Sequence, residues 1–202
     1  MFPIDHFFRA AQRFPDKIAV RDGETDITYA DLARRTNALA AALQSIDPEP
    51  QTRVGICGYN TFEHLLAWLA VFASGKTWVP LNPRNGKPEL DRICEVTDPK
   101  IVVVDAECWD KVDTPKATRL VGKPGDGAEG SSIEALVAQF DGEMPTRHDL
   151  DLDDLRRSSS PAAQAASPRA ACRPTASGTR VSRRCCTNSI STETIGTCWR
   201  RR

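Results

Sequence analysis

Few side chains in this chain of 202 residues are of types that could do chemistry together. Its three histidines are scattered: His6 and His64 fall in helical patterns, and His148 lies in a polar, acidic stretch. No Ser or Cys is recognisably placed with a base, as nucleophilic catalysis would require. The carboxylates of Asp149, Asp151, Asp153 and Asp154 could attract a cation. Without the glycine and ligand spacing of a calcium loop, they suit a solvated acidic linker better. Gly125-Asp-Gly-Ala-Glu-Gly130 has the glycines of a phosphate loop. It lacks the Lys and Ser/Thr of such loops and does not directly join a strand to a helix start. Of seven cysteines, Cys57, Cys94 and Cys108 lie singly in strand-like or helix-like segments, where a thiol acts as a small hydrophobe. Cys172, Cys185, Cys186 and Cys198 lack zinc-knuckle spacing and have no histidine among them. No residue is assigned a catalytic, cofactor-binding or metal-binding role.

The elements that would position any site are clear from periodicity. Ile4, Phe7, Phe8, Ala11 and Phe14 recur at helical spacing until Pro15-Asp16. Lys17–Asp22 and Thr25–Tyr29 read as two strands joined through Asp22-Gly23, a hairpin signal. A long helix follows from Tyr29 or Ala30 to about Ile46, with Leu32, Ala33, Thr36, Leu39, Ala40 and Leu43 on one side. Arg53–Gly58 is an apolar strand suited to burial on both faces. Asn60-Thr61 can cap a helix over Phe62–Ser74, closed by Gly75. The strand Thr77–Leu81, a helix around Pro88–Val96 and the strand Ile101–Val104 come next. After them, Arg119–Gly122 reads as a strand, residues 122–130 as a loop and Ile133–Phe140 as a short helix. Strands alternating with helices predict an α/β fold with a mainly parallel sheet.

Charge divides the chain. Residues 1–155 carry 17 Lys+Arg against 26 Asp+Glu, whereas residues 156–202 carry ten Arg and the single acid Glu193. The N-terminus has no signal-peptide pattern, and the longest apolar run, Leu65 to Ser74, is too short to span a bilayer. A cytoplasmic protein without a transmembrane segment is expected. The basic tail could neutralise phosphates nonspecifically, but Trp199 is its only stacking group, so no specific nucleic-acid partner is expected.

Four pieces of sequence, in order, resemble the start of the AMP-forming acyl-CoA synthetases, luciferases and nonribosomal adenylation domains. They are Phe14-Pro-Asp-Lys-Ile-Ala-Val20; Ile27-Thr-Tyr-Ala-Asp-Leu32; Gly55 with Asn60 and Glu63 ahead of an apolar helix; and Gly75 followed by Val79-Pro-Leu-Asn-Pro83. The resemblance covers roughly residues 7–155 and implies the incomplete N-terminal part of the adenylate-forming fold. It makes these segments scaffold: Tyr29 packs at a helix start, Gly75 ends a helix, and Pro80 and Pro83 stiffen a strand exit.

After the acidic stretch ending at Leu155, such a family member continues with a strand and a Ser/Thr/Gly-rich loop ending in Pro-Lys-Gly. Residues 156–202 instead contain no Leu, Lys, Asp, Phe, Tyr or Met. That composition predicts a disordered tail, because it offers too little apolar surface to offset chain ordering. It also has the character of coding DNA read out of frame. If the third base of each codon is joined to the first two of the next, Arg157–Ala170 admits Ala-Ile-Lys-Phe-Thr-Gly-Gly-(Ser/Thr)-(Ser/Gly)-Gly-Leu-Pro-Lys-Gly. A shift of one base therefore admits the expected loop at the expected place. Thr194–Arg200 likewise admits Asp-Asp-Arg-Tyr-Leu-Leu-Ala.

Two regions are accordingly expected: 1–155, a truncated AMP-binding region, and 156–202, an out-of-frame Arg/Ser/Cys-rich tail. The resemblance implies that the intact enzyme ligates a fatty or other organic acid to a thiol through an acyl-adenylate, using ATP, magnesium and coenzyme A. This chain is expected to bind none of these cofactors and to be inactive, since the parts that handle them follow residue 155. The alternative is a nonenzymatic α/β module whose basic tail meets nucleic acid, or which pairs with a partner synthetase.

Overall fold

A computed structural model describes residues 3–148. The expectations for residues 149–202, including the acidic aspartates and the four tail cysteines, lie outside the described residues. Helix α1 (Pro3–Arg13) leads into strands β1 (Ile18–Asp22) and β2 (Thr25–Thr28), which pair antiparallel as a separate two-stranded sheet. Asp22 pairs with Thr25, so the turn residues are Gly23 and Glu24 rather than Asp22 and Gly23. Of these, Gly23 takes positive φ, at +58°, which it adopts without a Cβ penalty.

Next come α2 (Tyr29–Ile46), β3 (Arg53–Cys57), α3 (Phe62–Ala73), β4 (Thr77–Leu81), α4 (Lys87–Thr97), β5 (Ile101–Val104), a 3-10 helix (Ala106–Lys111), β6 (Thr118–Val121) and α5 (Ile133–Gln139). Thr28, Thr61 and Ser132 cap α2, α3 and α5 by accepting the N–H three residues on. Periodicity gives no sign of the 3-10 helix, because Ala-Glu-Cys-Trp-Asp-Lys is too short and too polar to show a helical period.

β4, β3, β5 and β6 form a parallel sheet in that order. Both faces are covered, so β5 reads Ile-Val-Val-Val with no polar residue, as expected for a strand buried on two sides. Alternate residues serve different layers. Val54, Ile56, Ile101 and Val103 join Leu39, Leu43, Leu66 and Val71 in one core under α2, α3 and α5. Val102 and Val104 join Val79, Leu81, Leu90, Cys94 and Cys108 in the other. Cys57, Cys94 and Cys108 are free and buried, in keeping with their reading as small hydrophobes.

At the amino end of the sheet, the loop between α2 and β3 is fastened by Lys76. Its side chain is 1% exposed. Nζ lies 2.7 Å from Asp47 O, 3.0 Å from Asp47 Oδ2, 3.0 Å from Glu49 O and 2.8 Å from Thr52 Oγ1. Gln51, in the same loop, adopts φ +61° and donates its N–H to Gly75 O. The Lys76 ties hold that left-handed residue in place. Burial pushes the Asp47 carboxyl up, but hydrogen bonds from Thr52 and Lys76 outweigh it and leave the group below its ordinary value.

Two outcomes follow in urea-unfolding equilibria. Lys76→Met leaves the loop oxygens without their cation and lowers stability by about 3 kcal/mol. The Asp47 contribution is complete above the ordinary carboxylate range and is lost as pH falls through the lowered folded value. Lys76→Met therefore loses less stability relative to the native chain in acid than at neutral pH.

Candidate functional site

In an open parallel sheet, a ligand crevice forms outside the carboxyl ends of the strands, where successive connections leave in opposite directions. Here that point lies between β3 and β5, since the chain passes from β3 to β4 on one side and returns to β5 on the other. The register sets Cys57 level with Val104 and Val104 level with Val121, so the next residues, Gly58, Asp105 and Gly122, stand side by side.

Asp105 fills the crevice. It is 4% exposed. Its Oδ2 accepts the Tyr59 N–H at 3.2 Å and its Oδ1 the Lys123 N–H at 2.8 Å. Gly58 and Gly122 leave room for it, because a Cβ on either would overlap the carboxylate oxygens. Backbone bonds complete the rim: Asp105 N–H to Cys57 O, Gly122 N–H to Val104 O, and Ala106 N–H to Lys123 O. Burial raises the Asp105 carboxyl above its ordinary value against the two N–H groups and nearby His64, which favour the charge; Glu63 opposes it.

The three histidines do not assemble. His64 stands in the first turn of α3, its N–H held by the Thr61 hydroxyl and its Nδ1 buried without a protein partner. His6 is exposed on α1. His148 lies with Arg147 in a recess of about 330 Å³ that includes Phe8 and Phe72. A larger recess, about 460 Å³, lies between the β1–β2 hairpin and α3 and includes Val20, Asn60, His64, Trp68 and Trp78. Trp68 meets Phe72 and Trp78 edge-on at 4.9 and 6.2 Å. Trp78 Nε1, like His64 Nδ1, has no protein partner, while Arg21 is engaged by Asp26. Neither recess unites a nucleophile with a base. The segment 122–130 runs from β6 toward α5, and its Lys123 N–H is given to Asp105 rather than left for a phosphate.

The described residues do not fit ATP or magnesium. The rim N–H groups that could receive a phosphate oxygen are bound to Asp105. Nor do three His, Cys, Asp or Glu side chains gather as metal ligands among the described residues. No helix among them is long and apolar enough to cross a membrane.

A parallel sheet of this order, with its helices and its preceding hairpin, has counterparts among known proteins. The AMP-binding enzyme family model matches residues 7–179, and the chain belongs to that family of adenylate-forming enzymes. The match runs past Leu155 into the segment whose composition departs from the rest.

Among curated relatives, feruloyl-CoA synthase of an Amycolatopsis species is 33% identical over 126 residues, 62% of this chain and 26% of its own length. The AMB antimetabolite synthetase AmbB of Pseudomonas aeruginosa is 33% identical over 110 residues, 54% of this chain and 9% of its own. The chain thus spans about a quarter or less of these relatives. Two solved structures share the fold. NpsA of Klebsiella oxytoca in complex with 3-hydroxyanthranilyl-AMSN has a TM-score of 0.61 at 23% identity, covering 75% of this chain and 28% of that one. A benzoate CoA ligase from Burkholderia xenovorans has a TM-score of 0.64 at 18% identity, covering 75% and 32%.

Asp105 and its glycines escaped the sequence reading, although a signal was present. An acid directly follows a fully apolar strand, and a glycine follows each strand that proves to flank it. Gly58→Ala and Gly122→Ala each force the carboxylate to move and lower stability by about 1–3 kcal/mol, read as a reduced urea midpoint. The buried thiols give a second check. Burial, with the neighbouring Cys108, pushes the Cys57 thiol up to about 12. Cys57, Cys94 and Cys108 therefore resist iodoacetamide at pH 8 in the native chain and are alkylated in urea, as peptide mass spectrometry will register.

Proposed function

We propose that this chain carries the opening part of an ATP-dependent, carboxylate-activating ligase, and that residues 156–202 are read one base out of the frame encoding its continuation. The observation that carries the reading is the hidden sequence over Arg157–Ala170. One base shift there admits a Gly-rich loop ending in Pro-Lys-Gly, at the place where the family needs donors for phosphate oxygens. Family membership supports the reaction class: an organic acid is joined to AMP with release of pyrophosphate, and the acyl group then passes to a thiol.

The names of the relatives widen the thiol beyond coenzyme A. Feruloyl-CoA synthase stands beside AmbB and a mycosubtilin synthase of Bacillus subtilis, so a carrier-bound thiol is an equal candidate. None of these names is that of a fatty-acid ligase, and the proposal extends only to an organic acid. In this reading residues 1–155 are the in-frame scaffold and the present chain is inactive alone. Among the described residues, the Tyr59 and Lys123 N–H groups at the sheet's rim serve Asp105 and not a phosphate.

Sequencing the genomic DNA across codons 145–205 and expressing the chain in the shifted frame tests the proposal. The expected result is ATP–pyrophosphate exchange dependent on an added carboxylic acid from the frame-restored protein, and none from the chain as written. No exchange across a broad panel of aromatic, aliphatic and amino acids would sink it. The ten arginines of residues 156–202 favour weak nucleic-acid binding as the second reading. A steep salt dependence of RNA binding that disappears on truncation at Leu155 would support that instead.

A further inference from the structure

We infer that the crevice between the carboxyl ends of β3 and β5 is an anion pocket whose resident anion is the protein's own Asp105 carboxylate. Two backbone N–H groups, from Tyr59 and Lys123, converge on it from loops that leave different strands. Converging backbone N–H groups are what a built anion site supplies, and in an open parallel sheet they lie at this position. Gly58 and Gly122 wall the pocket without side chains, each with its Cα turned to a carboxylate oxygen. Burial opposes the charge there and raises the carboxyl, and the two N–H groups are what favour it most. A recess of about 160 Å³ adjoins Asp105 and is lined by Glu107, Lys123, Gly125 and Asp126. The native crevice is therefore closed to an outside ligand because it is already occupied, and the class of ligand it suits is a small carboxylate.

Cutting the tether exposes this. In Asp105→Ala the carboxylate is gone while the two N–H groups and the glycine walls remain, so sodium formate restores what the side chain supplied. Native chain, Asp105→Ala and Asp105→Asn are compared by urea unfolding in formate and in sodium chloride of equal concentration. Asp105→Asn fills the space and turns an amide NH₂ toward one of the two donors. It is destabilised but indifferent to formate.

For Asp105→Ala, formate raises the folding constant in proportion to one plus its concentration over its dissociation constant, about elevenfold at ten times that constant, and chloride does not. Equal effects of formate and chloride on Asp105→Ala, or equal gains in all three proteins, would overturn the inference. Should Asp105→Ala not accumulate folded, its refolding yield from urea is measured in the two salts. A higher yield in formate supports the pocket, and equal yields overturn it.

Discussion

A single carboxylate ties together the exits of three neighbouring strands. Parallel strands end level with one another, and their last N–H and C=O groups point out of the sheet with no further strand to meet them. Asp105 answers that requirement at the centre of the rim, taking one N–H from the chain leaving β3 and one from the chain leaving β6. The direction of the next elements follows. Tyr59 leads to the Thr61 cap and so to α3, Lys123 leads into the connection toward Ser132 and α5, and Asp105 itself precedes the 3-10 helix. The carboxylate is costly to bury. Two charge-assisted hydrogen bonds reduce that cost without cancelling it, and burial still leaves the carboxyl above its ordinary value.

The opposite end of the sheet is held by the reverse arrangement, a buried cation among oxygens. Lys76 gathers the carbonyls and hydroxyl of the α2–β3 loop much as Asp105 gathers amides. Between these two polar fastenings the sheet is almost wholly apolar, with Val54, Ile56 and all of β5 buried. Burying β5 on both faces is what lets α2, α3 and α5 form one layer and α4 another. The chemistry of the described residues is thus spent on the scaffold.

Most of the fold was legible because each element announces itself over several residues. The Ala- and Leu-rich side of α2, the Thr61 cap, the all-apolar β5 and the glycine after α3 are local signals, and the structure realises each within a residue or two. What was not legible depends on pairing. The roles of Gly58, Asp105 and Gly122 exist only once β3, β5 and β6 are in register, and strand order cannot be read from periodicity. Lys76 was missed for the same reason: it follows the glycine that ends α3, a position usually exposed, and it is buried only because the loop before β3 folds over it. The turn at Gly23-Glu24 shows the finer limit, since Asp22-Gly23 and Gly23-Glu24 differ by a single step of register.

Among the described residues β4 is paired only through β3, and Pro80 sits exposed on it. Proline brings no N–H, so a strand arriving along this margin meets a ladder with one rung missing. Copies of the chain cannot stack there as an uninterrupted ribbon. A residue that reads in the sequence as a stiffener of one strand's exit thereby also removes a donor from the edge of the sheet.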